Sequence, residues 1–190
     1  MKEGIGYYKP HHIMRNEEQT SFRIVDLWTF KSTKSHKRYI VELEYIDENF
    51  YAIKFYYKAV EKSELRYKLL TNDYEPRTII RSCVEVIIEF LKDNPRTSFG
   101  FIASDDVEEV IKTKRITPET GNRRFRLYRR LMLNMFGPET FYQVSDIGHN
   151  IYLLLNKKEF DEGRIDLQEL EEKINLTFEQ EYRLYRTQRE

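Results

Sequence analysis

Residues 38–45, Arg38-Tyr39-Ile40-Val41-Glu42-Leu43-Glu44-Tyr45, decide how this chain is read. Tyr39, Val41, Leu43 and Tyr45 take every second position, with Arg38, Glu42 and Glu44 among the residues between them. Side chains alternate sides along an extended strand, so the spacing predicts a half-buried β-strand with one apolar face. The flanking sequence extends the pattern. Phe22 to Phe30 alternates imperfectly and reads as a preceding strand, Lys31 to Lys37 as a polar turn, Asp47-Glu48-Asn49 as a second turn, and Phe50 to Tyr57 as the next strand. A fourth strand is expected over Leu65 to Leu70. Connections this short join antiparallel neighbours. Residues 1–20 are polar and lack a period, and read as an extended lead-in.

The period changes at Glu75-Pro76. Proline suits the first helical position, and a carboxylate beside it complements the positive end of a helix. Ile79, Ile80, Cys83, Val84, Ile87, Ile88 and Leu91 then form a broad apolar face, ended by Asp93-Asn94-Pro95. Such a helix packs flat on a sheet. Ser98 to Ala103 reads as a short strand, and its run Phe99-Gly100-Phe101-Ile102 predicts burial on both faces. Residues 104–121 read as a loop or short irregular helix. Asn122 suits the N-cap of a second helix, which Gly137-Pro138 stops. Ile151 to Leu155 reads as the last strand. From Asp166 to Arg186, Leu167, Leu170, Ile174, Phe178 and Leu184 are spaced loosely like a helix, in a polar tail that projects outward or docks on a partner.

These elements predict an α+β fold. Three to four N-terminal strands of a mainly antiparallel sheet are followed by helix, strand, helix and strand. Two helices pack on one face, and a polar helical tail follows. The later strand–helix–strand unit is a candidate parallel crossover. The expected division is a lead-in over 1–20, one α+β domain over 21–158 and an acidic tail over 159–190.

The formal net charge is zero, from 32 basic and 32 acidic residues, whereas a dedicated nucleic-acid binder is more often basic overall. The 14 tyrosines and 12 phenylalanines supply core rings and argue against wholesale disorder. The single cysteine, Cys83, excludes an internal disulfide and sits among apolar helix residues, as a core thiol does. The N-terminus lacks the pattern of a signal peptide, and no stretch approaches the ~20 apolar residues that cross a bilayer. A soluble, cytoplasmic protein is expected.

The charge is unevenly spread. Between Lys112 and Arg130 lie Lys112, Lys114, Arg115, Arg123, Arg124, Arg126, Arg129 and Arg130, opposed only by Glu119. Lys31 to Arg38 adds four basic residues and no acid, while acids outnumber bases after Glu159. Within the second helix, Phe125, Tyr128, Met132, Met135 and Phe136 share one face. Arg123, Arg126 and Arg130 share the opposite one at i, i+3 and i+7. Arginine makes planar, bidentate contacts with carboxylate and phosphate, so this face is a candidate binding surface. The alternative is a solvated face, or one paired with the acidic tail. The aromatic residues lie away from Arg126 and Arg130, which weighs against a single-strand groove.

Other constellations carry less. Asp105 and Asp106 follow a buried strand, with Glu108 and Glu109 behind them. Carboxylates at a strand end can hold Mg²⁺ in nucleases, but such a site draws carboxylates and a lysine from separate elements, and Lys112 and Lys114 share this loop. A turn and helix start is the plainer reading. His11 and His12 are adjacent, so their side chains diverge along a strand, and no further ligand at metal-binding spacing accompanies them. No nucleotide-loop, zinc-protease or serine-hydrolase motif occurs, and no cofactor is expected.

Several segments resemble a group of small α+β proteins from Bacteroidota genomes. They are Glu75-Pro76-Arg77-Thr78, Asn94-Pro95 ahead of Phe99-Gly100-Phe101-Ile102, Thr113-Lys114-Arg115, Arg124-Phe125-Arg126-Leu127-Tyr128, and Tyr152-Leu153-Leu154-Leu155-Asn156. The likeness spans roughly residues 37–158 and implies the fold alone, since no activity is established for that group. The resulting expectation is a non-enzymatic interaction module. It binds a macromolecular partner, foremost a protein, through Lys112, Lys114, Arg115, Arg123, Arg126 and Arg130. The alternatives are a nucleic-acid-binding regulator or defence-related factor using the same surface, and a metal-dependent nuclease.

Overall fold

In the computed structural model, residues 6–18, 23–63, 66–67, 74–103, 121–147, 150–174 and 176 are described. The alternation at residues 38–45 becomes β3 (Arg38–Asp47). It lies between β2 (Arg23–Lys31) and β4 (Phe50–Tyr57), antiparallel to both. Asn49, in the turn between β3 and β4, takes the left-handed backbone that asparagine tolerates in tight turns. Helix α1 (Pro76–Asp93) then crosses over to β5 (Ser98–Ile102), which pairs parallel with β4. Helix α2 (Arg123–Met135) leads to β6 (Phe141–Asp146), which pairs antiparallel with β7 (Ile151–Asn156). Together with β1 (His11–Glu18), these form a sheet of seven strands among the described residues, in the order β1-β2-β3-β4-β5-β7-β6. The fold is α+β with a mainly antiparallel sheet.

Several expectations change. Residues 11–18, polar and without a period, nonetheless form β1 on the edge of the sheet, where His11 to Glu17 are exposed. The partner strand β2, not an apolar stripe, holds them extended. The parallel crossover is β4-α1-β5, not the later unit. β6 intervenes after α2, so β7 returns antiparallel to β5. Of the strand expected over 65–70, Arg66 and Tyr67 lie in a turn and the rest is outside the described residues. The expected loop over 104–120 is also outside them.

Strand alternation gives the sheet two different faces. Tyr39, Val41 and Leu43 of β3, Tyr51 and Ile53 of β4, Phe99 and Phe101 of β5, and Leu154 of β7 join Ile80, Val84 and Ile87 of α1 and Phe125, Tyr128 and Met132 of α2 in one core. Both helices therefore cover the same face. Phe50 and Leu155, one position out of phase, point the other way. They pack with Ile165 and with Leu170 and Ile174 of the helical residues 167–174. The start of the tail thus docks on its own sheet instead of projecting outward. A short helix α3 (Lys157–Asp161) leads into it, capped by the Asn156 side chain, which accepts from the Lys158 amide. Among the described residues, no helix is long and apolar enough to cross a membrane.

Candidate interaction surfaces

The second helix is set by its first residues. The Asn122 side-chain oxygen accepts from the Phe125 amide at 2.8 Å, and the side-chain NH₂ donates to the Ala103 carbonyl at 2.8 Å. Its backbone N–H donates to the Asn150 side chain at 2.7 Å. One residue thereby caps α2 and ties it to the end of β5 and the start of β7. Gly121 stands before it with φ of +71°, and an added Cβ would lie 2.5 Å from the Phe125 ring. Backbone handedness and space both require glycine here.

With its start fixed, α2 turns Phe125, Tyr128 and Met132 into the core and leaves Arg123, Arg126, Arg129 and Arg130 exposed. Leu133, 53% exposed, follows them. Arg126, Arg129, Arg130 and Leu133 sit at i, i+3, i+4 and i+7, so they share one stripe of the helix. Arg126 donates to the Gly121 carbonyl at 2.7 Å, and Arg124, half-buried, donates to the Tyr67 carbonyl at 2.7 Å. Among the described residues, no carboxylate forms an ion pair with Arg123, Arg129 or Arg130. The helical residues 167–174 lie on the opposite face of the sheet, where Lys173 donates to Asp47 at 2.5 Å. The described part of the tail therefore does not neutralise the arginines. Lys112, Lys114 and Arg115, and the carboxylates Asp105 and Asp106, lie outside the described residues.

The tail-bearing face carries a buried ionic cluster that sequence reasoning misses. Glu42 and Glu44 are each 5% exposed, although the alternation assigns them to the polar side of β3. Arg23 of β2 donates to Glu44 at 2.5 Å, and Lys54 of β4 reaches the other oxygen of Glu44 at 2.6 Å. The Tyr67 hydroxyl donates to Glu42 at 2.6 Å and accepts from Arg66 at 2.9 Å. Burial pushes the Glu44 carboxyl up, but Lys54 and Arg23 outweigh it and hold the group below the usual carboxylate value. Burial, with the Glu42 charge added, raises the Tyr67 phenol and keeps it protonated as a donor. The cations come from neighbouring strands, so no local spacing announces the cluster. Its charges satisfy one another, and it reads as a structural network.

A second such group fastens the far end of the sheet. Glu159, 1% exposed, accepts from Arg96 at 2.8 Å and Asn49 at 3.0 Å. At the β1 edge, His12 meets Asp26 at 3.2 Å and packs edge-on against Trp28, while His11 points to solvent. Among the described residues, no three His, Cys, Asp or Glu side chains converge as a metal site would need. Cys83 is buried, and burial pushes its thiol well up. Comparisons with protein-family models, with curated proteins and with solved structures return no match.

Proposed function

We propose that this chain is a non-enzymatic interaction module that docks an acidic face of a protein partner against the exposed stripe of α2. The observation that carries this reading is the composition of the stripe. Arg126, Arg129 and Arg130 lie along one stripe of the helix that ends in Leu133, an aliphatic side chain left in water. Arginine is enriched at protein interfaces, where its planar fork engages carboxylates in pairs, and the adjoining apolar side chain supplies area to bury. Arg123 extends the stripe. Lys112, Lys114 and Arg115 join the proposal from sequence alone. A cytoplasmic setting is part of the same reading.

Nucleic acid is a poorer fit to this helix. Phe125 and Tyr128 are in the core, so among the described residues of this helix no exposed ring stands with the arginines to stack on a base. The test is affinity capture with the wild-type chain and with Arg123→Glu/Arg126→Glu/Arg130→Glu. A partner recovered by the wild type and lost by the charge reversal supports the proposal. Capture that survives the reversal contradicts it.

A further inference from the structure

A second charged surface lies where the β2–β3 turn meets the start of α1. The buried Ser32 hydroxyl donates to the Glu75 carboxylate at 2.6 Å and accepts from the amides of Lys34 and Ser35 at 3.1 and 2.9 Å. Tyr8 donates to the other Glu75 oxygen at 2.6 Å. Glu75, expected to complement the helix end, makes no side-chain capping bond; it locks the turn to the helix instead. Lys31, Lys34, Arg38 and Arg77 are all exposed around this junction. Lys37 lies over the Tyr57 ring, 5.3 Å from its centroid. Within residues 31–38 and 74–78, Glu75 is the one carboxylate, and it is buried.

Tyr74 immediately precedes Glu75, the residue through which the start of α1 meets this turn. It is 93% exposed, and its φ is +53°. A non-glycine residue in the left-handed region is strained, and a tyrosine ring in water gains nothing from burial. Among the described residues, no ring packs on it. Flexible cations beside an exposed ring match the chemistry of a single nucleic-acid strand, in which phosphates meet lysine or arginine and a base stacks on the ring. A protein partner fits less well, because lysine, which supplies two of these cations, is depleted at protein interfaces.

We propose that Lys31, Lys34, Arg38, Arg77 and Tyr74 form a single-stranded nucleic-acid-binding surface, carried by different elements from the arginine stripe. The test is fluorescence anisotropy with a labelled single strand of about 12 nucleotides and a duplex of the same length, at low and moderate salt. Wild-type protein is expected to bind the single strand more tightly than the duplex. Lys31→Glu/Lys34→Glu/Arg38→Glu removes three phosphate contacts and should reduce the salt slope by about 2. Tyr74→Ala should weaken binding roughly tenfold, while Tyr74→Trp retains it. Arg126→Glu/Arg130→Glu should leave binding unchanged, which separates this surface from the α2 proposal. Absence of single-strand binding at low salt overturns the inference. So does tighter duplex binding, or full affinity in Tyr74→Ala, a solvent-exposed change that the fold tolerates even if the triple variant does not.

Discussion

Glu44 shows at the scale of one residue how partners decide a side chain's role. An isolated carboxylate at 5% exposure would be strongly destabilising, yet Arg23 and Lys54 reach it from both flanking strands. Removing one member of such a group leaves buried charge unpaired. Glu44→Gln should therefore cost about 3–5 kcal/mol in denaturant unfolding. The same pairing gives a pH dependence. The folded-state carboxyl lies below its ordinary value, so its contribution is present above the unfolded pKa, about 4.3. It is lost as pH falls through the lower folded value. Wild-type stability should drop on acidification below about pH 5 more steeply than that of Glu44→Gln, as urea midpoints across that range would measure. Asn122 is the other residue with several tasks. Asn122→Ala removes the α2 cap and leaves the Ala103 carbonyl without that donor, an expected loss of about 2 kcal/mol by the same unfolding assay. The cap is legible in sequence because its partner is three residues away. The Glu44 cluster is not, because its partners lie about 10 to 20 residues away in the chain and meet only through strand register.

The elements divide in the same way. β3, α1 and α2 follow from their own periodicity, since each buries the apolar stripe that its sequence displays, although β3 buries its opposite face as well. β1 and β6 do not. β1 is exposed from His11 to Glu17, and β6, Phe141-Tyr142-Gln143-Val144-Ser145-Asp146, buries only Phe141. Edge strands are held by the ladder of a neighbour, and that interaction leaves little mark on hydrophobic pattern. The helical residues 167–174 show the converse. Their sparse apolar residues read as a polar tail, but Leu170 and Ile174 are buried against Phe50 and Leu155. Leu170→Ala and Ile174→Ala should each destabilise the fold by about 2–4 kcal/mol. If the segment were a detached tail, thermal or urea unfolding of both variants would match the wild type.

For the whole molecule, zero net charge hides a segregated surface. The described part of the acidic tail covers one face of the sheet, while the arginine stripe of α2 lies over the other. The arginine stripe itself is legible in sequence, because helical spacing alone separates Arg123, Arg126 and Arg130 from Phe125, Tyr128 and Met132. Leu133 joins it by the same spacing, whereas the meeting of the β2–β3 turn with the start of α1, through Ser32 and Glu75, is a product of the tertiary fold. The α2 proposal is tested most directly by photo-cross-linking in cells, with a photoreactive side chain in place of Leu133. The account predicts a discrete protein adduct at this position that disappears when Arg126 and Arg130 are also changed to glutamate. No adduct, or one indifferent to the arginines, would contradict it.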